Sequence, residues 1–186
     1  PEFLPRREVA HTGVELTVHE AGSQDLVDRL EKGEMDLAVV ILPVNRPWVE
    51  TAKLMEEELV LAVNPDHPLA GQAAIRVDDL EHVPPVMFKD GYDLREATLQ
   101  ACRQAGFSPV MAMQGLEMDG ALALAAAGVA AAVVPESVVA DSPPLRAIRF
   151  HGAALTRTIG LASRKDRPFN PAAEAFVQDL DDHLLP

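Results

Sequence analysis

Cysteine is almost absent from this 186-residue chain: Cys102 is the one thiol, and tyrosine and tryptophan also occur once each. A lone cysteine excludes an internal disulfide and is compatible with a reducing cytoplasm. Long apolar runs are missing too. None approaches the roughly 20 residues needed to span a bilayer, so no membrane partner is expected. Positive charge is scarce: 16 Lys and Arg stand against 29 Asp and Glu, a formal charge of −13. That balance repels nucleic acid, so this stretch is not expected to bind DNA by itself. The six histidines are scattered, with no His-x-x-x-His pair, which argues against a dedicated metal site. There is no Gly-x-Ser-x-Gly elbow; Ser137 follows Pro135 and Glu136 without the flanking glycines. Neither a phosphate loop nor a dinucleotide fingerprint occurs. Cys102 falls in a helical pattern beside Ala101 and reads as a buried, inert thiol. No enzyme chemistry and no cofactor are expected, which leaves binding.

What is present is apolar periodicity. Apolar residues make up 48% of the chain, enough for a proper core in one domain or two small lobes. The pattern is organised around residues 22–42, GSQDLVDRLEKGEMDLAVVIL. Ser23 suits a helix N-cap and Asp25 puts negative charge in the first turn. Leu26, Val27 and Leu30 recur at helical spacing, and Gly33 suits the left-handed position beyond a helix. Residues 37–42 are apolar throughout, as in a strand buried on both faces at the centre of a parallel sheet. The loop that follows lies where open α/β sheets bind ligands.

Along the rest of the chain, residues 3–10 predict a short helix, and Val14, Leu16 and Val18 alternate as in a half-buried strand. Residues 48–58 read as a loop with a short strand, and 59–63 as a separate apolar strand. Pro65 and Pro68 break the pattern at 64–69, the first candidate hinge. A helical turn is expected at 77–80 and a strand at 86–88. Leu94, Ala97, Ala101 and Ala105 mark one face of a helix closed by Gly106. Further strands are expected at 110–114, 130–134, 145–150 and 158–163, with an Ala-rich helix over 118–127. Asn170 caps a last helix with Pro171 in its first position, and Phe176, Val177, Leu180 and Leu184 form its buried stripe. Strand and helix alternate, which implies an α/β fold.

Four pieces, in order, resemble the effector-binding domain of LysR-type transcriptional regulators. They are Gly22-Ser23 with Leu30, Gly33, Glu34 and Asp36-Leu37-Ala38 before the apolar strand; ELVLAVNPDHPL at 58–69; AGVAAAVVPES at 127–137; and GLASRKD at 160–166 before the C-terminal helix. The likeness spans nearly the whole chain. It implies the two-lobed fold of type 2 periplasmic binding proteins, each lobe a sheet flanked by helices, with a small-molecule cleft between them. Lobe I would hold residues 1–64 and 166–186, and lobe II residues 65–165, with crossings near 64–69 and 163–167. The resemblance also implies homodimers, commonly paired into homotetramers, and DNA contact only through an N-terminal helix-turn-helix absent from these residues. In the family a further strand and loop also precede the first helix. The chain opens without methionine, at PEFLP, which reads as the middle of a longer pattern. An exported solute-binding protein of the same fold is the alternative, and an enzyme of that architecture a weaker third.

Four segments are expected to end at the cleft. Gly22, Ser23 and Gln24 lie at a helix amino end, where backbone N–H groups favour an anion, although Ser23 can equally serve as a plain cap. Pro43, Val44 and Arg46 follow the central strand; Arg46 either pairs with a carboxylate or is solvated. Phe88, Lys89 and Tyr92 follow a second-lobe strand, with Lys89 as a cleft cation and Tyr92 as a polar-tipped wall, unless Asp90-Gly91 marks only an ordinary turn. Gln114 is a hydrogen-bond candidate, and Pro135 joins the set at the end of its strand. Met111, Met113 and Met118 read as core filler. The partner implied is a small effector, tilted towards an organic anion by Arg46 and Lys89.

Overall fold

The structure is a computed structural model, and it describes residues 16–140, 144–152 and 155–184, without the side chains of 181–184. The helix expected at 3–10, Val14 and the Leu184 side chain therefore lie outside the described residues. Residues 16–20 are exposed and form no strand, so the alternation of Leu16 and Val18 does not make one.

The first helix, α1 (Ser23–Glu31), buries Leu26, Val27 and Leu30 as the spacing predicts. Its N-cap is Gly22, with no side-chain cap bond, because the Ser23 hydroxyl is engaged elsewhere. Gly33 takes the left-handed φ of 71° that ends the helix turn. Strand β1 (Ala38–Leu42) follows. Among the described residues it is not the parallel centre of a sheet. It pairs antiparallel with β8 (Thr156–Arg164), and no other described strand lies beside it. Val39 is consequently 50% exposed.

The chain then runs through one strand of 15 residues, β2 (Val49–Val63), where a loop, a short strand and a second strand are expected. Its two halves have different partners. Residues 49–58 pair with β8, while Leu59–Ala62 pair with β6 (Ala131–Pro135) and Leu61–Val63 with β7 (Arg146–Phe150). The chain thus leaves the first sheet between Glu58 and Leu59, earlier than the proline-marked turn at 64–69. It returns at Leu155–Thr156, before β8 rather than after it, where the Leu59 N–H donates to the Leu155 carbonyl. An unbroken strand can change sheets without a turn, so Pro65 and Pro68 mark only where β2 stops. A register shift between Lys53 and Met55 accompanies the burial of Leu54 against Leu161 and Leu180.

Beyond β2 come β3 (Ala74–Ile75), a 3-10 turn (Val77–Glu81), β4 (Pro85–Phe88), α2 (Asp93–Gln104), β5 (Met113–Leu116), α3 (Met118–Ala126), and, after β6, α4 (Glu136–Ala140). The strand expected at 110–114 starts at Met113 instead, and Val110 is exposed. The last helix, α5 (Pro171–Leu184), is capped by Asn170, whose Oδ1 accepts from the Ala173 N–H at 2.8 Å. The strand path is β1-β8-β2-β6-β4-β5, with β4 parallel to β5 and β6.

Two lobes follow from this pairing, each with its own core. One centres on Leu59–Val63, Leu80, Phe88, Leu94 and Val133. The other lies around β1 and β8, with Leu30, Val40 and Ala162 on one side and Leu54, Leu161 and Leu180 of α5 on the other. Gly160 in β8 keeps the first sheet tight. A Cβ there would lie 2.6 Å from Leu42 Cδ1 and 2.9 Å from the Ala52 carbonyl. Gly160→Ala is expected to cost about 1–3 kcal/mol through overpacking, read from the urea midpoint at unchanged m-value.

Candidate functional site

The two lobes meet where β1 and β4 end. Tyr92 forms the N-cap of α2; Gly91 before it has a φ of 81°, a conformation that glycine alone adopts without strain. The turn so made faces α1. A Cβ on Gly22 would run into the Gly91 carbonyl oxygen, so the backbones of the two lobes touch because Gly22 carries no side chain. One residue on, Ser23 Oγ accepts a hydrogen bond from the Ile41 N–H at 2.9 Å and donates one to Asp93 Oδ2 at 2.7 Å. Ser23 thus joins α1, the end of β1 and the start of α2.

On the second-lobe side the Phe88 and Tyr92 rings stack, with centroids 5.3 Å apart. Lys89 Nζ sits 5.7 Å from the Tyr92 ring centroid and 2.5 Å from Glu117 Oε1. That hydrogen bond pushes the Lys89 pKa up and holds the Glu117 carboxyl below its ordinary value. Arg95 donates to the Phe88 carbonyl at 3.0 Å and reaches Asp90 at 3.0 Å, which fixes the turn from behind.

Of the expected residues, Gly22, Ser23, Phe88, Lys89 and Tyr92 gather at this junction. The others are placed around it. Gln24 turns to Asp28, 2.8 Å away, and Arg46 also faces Asp28, at 3.8 Å. The two expected cations, Arg46 and Lys89, are each paired with a carboxylate. Val44 packs on the first-lobe core, and Pro43, joined to Leu42 by a cis peptide, is exposed. Gln114 is exposed on β5 in register with Met87. Pro135 is buried opposite Leu59, where β2 changes sheets. Met113 is 44% exposed rather than core filler.

Sequence reasoning missed Asp93. Asp93 carries the ordinary signature of an acid in a helix's first turn, and nothing local connects it with a serine 70 positions earlier. A cavity of about 450 Å³ lies elsewhere, beside β1, between Met35, Val39, Leu161 and Phe176. None of the expected site residues lines it.

Cys102 is fully buried, and burial pushes its pKa up. A disulfide reagent is expected to leave the native thiol unmodified and to titrate one thiol on unfolding; rapid labelling of the native chain would contradict that burial. Among the described residues, no group of three or more His, Cys, Asp or Glu could hold a metal ion. None of the described helices is long and apolar enough to cross a membrane.

Two α/β lobes, joined through β2 and the chain just before β8 and meeting at a helix amino end and a glycine turn, make up the two-lobed fold of the periplasmic-binding-protein type. The family model described as the LysR substrate binding domain matches residues 1–185, and the chain belongs to that family. The transcriptional dual regulator GltC of Bacillus subtilis is 30% identical over 169 residues, covering 89% of this chain and 56% of that protein. The hydrogen peroxide-inducible genes activator of Haemophilus influenzae is 24% identical, covering 99% of this chain and 62% of its own. The chain therefore spans little more than half the length of such relatives. Among solved structures, the effector binding domain of QuiR in complex with shikimate superposes with a TM-score of 0.86 at 22% identity, covering 100% of this chain and 91% of that one. The C-terminal domain of a probable LysR family regulator from Rhodococcus sp. RHA1 gives 0.85 at 24% identity, covering 97% and 90%.

Proposed function

We propose that this chain is the effector-sensing part of a cytoplasmic LysR-type transcriptional regulator. It binds a small organic molecule between its lobes. The observation that carries the reading is the convergence of α1 from one lobe and the β4–α2 turn from the other, in hydrogen-bond contact through Ser23 and Asp93. A ligand entering there touches both lobes, so it has different affinities for open and closed forms. That difference is what lets a ligand shift a conformational equilibrium. In this proposal the lobes are divided at Glu58–Leu59 and Leu155–Thr156, where the strand partners change. Gly22, Ser23, Phe88, Lys89 and Tyr92 form the contact zone, with Gln24, Pro43, Val44, Arg46, Gln114 and Pro135 around it.

Membership of a regulator family, whose relatives above are transcription regulators, favours this reading over an exported solute-binding protein and over an enzyme. DNA contact belongs to a helix-turn-helix outside these residues, and dimers or tetramers transmit the lobe movement to it. The effector class is a small carboxylate. Shikimate, present in the QuiR complex, and benzoate, the effector of BenM, are suitable first probes.

A thermal-shift screen of small carboxylates tests the proposal. A true effector at 100 times its Kd adds about 2.7 kcal/mol, a rise of roughly 5–10 °C for a domain of this size. The stabilisation is expected to vanish in Ser23→Ala. No stabilisation by any small molecule, from a regulator that still responds in cells, would sink the reading.

A further inference from the structure

We propose that Asp93 is a latch that holds the two lobes together in the absence of ligand, with the Ser23 hydroxyl as its catch. This deepens the proposed function and rests on its two-lobed reading. Three observations converge. The contact joins residues 70 apart in sequence, at the first positions of α1 and α2, and it is part-buried. Its length, 2.7 Å, is that of an O–H to carboxylate bond, a charge-assisted bond stronger than one between neutral groups. The Ser23 hydroxyl is committed on both sides, since it accepts from the Ile41 N–H while donating to Asp93. It is therefore held at the end of β1 and aimed across the junction.

The third observation is the backbone beside the bond. Gly22 abuts the Gly91 carbonyl so closely that a Cβ would collide with it. The missing side chain of Gly22, set against the turn that Gly91 makes at a φ of 81°, lets the lobes close until the serine and aspartate meet. Asp93 also lies in the first turn of α2, where a carboxylate favours the helix dipole. That local role and a latch are different claims. A helix-end acid needs no partner in the other lobe, whereas a latch depends on Ser23 as much as on Asp93.

A ligand carboxylate entering the junction competes with the Asp93 carboxylate for the same hydroxyl. Opening the latch and binding an acid are then linked events. Lys89 and Arg46 are already paired with Glu117 and Asp28, so neither is the obvious counter-ion of Asp93. The aspartate relies on the serine.

The test is the distance between spin labels on the two lobes. Cysteines replace the exposed Lys32, after α1, and the exposed Gln100, on α2. Cys102 is buried and stays unlabelled. Ser23→Ala and Asp93→Ala are each expected to lengthen the mean separation by more than about 2 Å, the scale of a true rearrangement. Ser23→Thr, which keeps a hydroxyl, is expected to retain the parent distance. The double variant Ser23→Ala with Asp93→Ala is expected to match either single one, because both remove the same contact. Unchanged distances in both single variants overturn the latch, and so does a double variant whose shift is the sum of the two. Succinate, added against chloride of equal ionic strength, separates the two readings. If succinate moves the parent distribution towards that of the variants, acid competition for the catch is supported. If the variants open but neither succinate nor any acid of the thermal screen acts on the parent, the latch stands and the small-acid effector falls.

Discussion

Phe88→Ala is expected to cost about 3–5 kcal/mol, the range for truncating a buried aromatic ring, and to lower Tm by roughly 10 °C. Phe88 is 1% exposed and belongs to the second-lobe core. It also supports the site. Its ring stacks on Tyr92 at an interplanar angle of 8°, and its carbonyl accepts from Arg95. The next five residues carry Lys89, Gly91, Tyr92 and Asp93 to the lobe junction. Removing the ring leaves a cavity under this turn and frees Tyr92 to move. Ligand response is therefore expected to weaken more than global stability alone accounts for, with the excess visible when binding is measured well below Tm. Phe88→Leu refills most of the cavity without the stacking face. It is expected to recover most of the stability but not the ordering of Tyr92. Equal recovery of both would mean that Phe88 acts only as core.

Phe88 also shows how much of the site could be read in advance. Helix spacing placed Leu26, Val27 and Leu30 in a core, and they are buried. The apolar run at 130–134 became the fully buried β6, and Gly33 and Gly106 take the positive φ expected beyond helices. These signals are local, because a helix face or a buried strand repeats within a few residues. Pairing direction is not local. The uninterrupted apolarity of Leu37–Leu42 suits a central parallel strand, but β1 pairs antiparallel with a strand 120 residues away. The change of sheets inside β2 was hidden because strand continuity needs no turn residue, while Pro65 and Pro68 stand out in the sequence where β2 has already ended. Ser23 was legible as a polar group at a helix start. Its partner Asp93 was not, because an acid in a first turn is explained by its own helix. The family resemblance implies a cleft between lobes; that α1 and the β4–α2 turn touch is seen only in the fold.

The other large effect is expected at the crossing itself, where Glu57 and Arg157 face each other across β2 and β8. Arg157 holds Glu57 Oε2 through Nε and Nη2, both at 2.7 Å, and the two side chains are only 19% and 15% exposed. Ser137 of α4 lies 3.4 Å from the other Glu57 oxygen. The pair thus sits one residue before β2 enters the second sheet, tied to a helix of the second lobe. Removing one partner leaves the other charge poorly solvated. Glu57→Ala or Arg157→Ala is expected to cost about 2–3 kcal/mol, below the 3–5 kcal/mol of fully buried pairs because some water reaches both groups. Replacing both with apolar residues of similar length, Glu57→Leu with Arg157→Met, is expected to restore most of the loss, since the desolvation of two ions disappears together. Urea unfolding of the four chains gives the coupling directly. A large single-variant loss with a near-parental double variant would mark the pair as a device for geometry more than for stability: it fixes β2 against β8 just before β2 passes into the second lobe. Additive losses would mean instead that each side chain contributes through its own packing, and that the crossing is held by the backbone ladder of β2 and β8 alone.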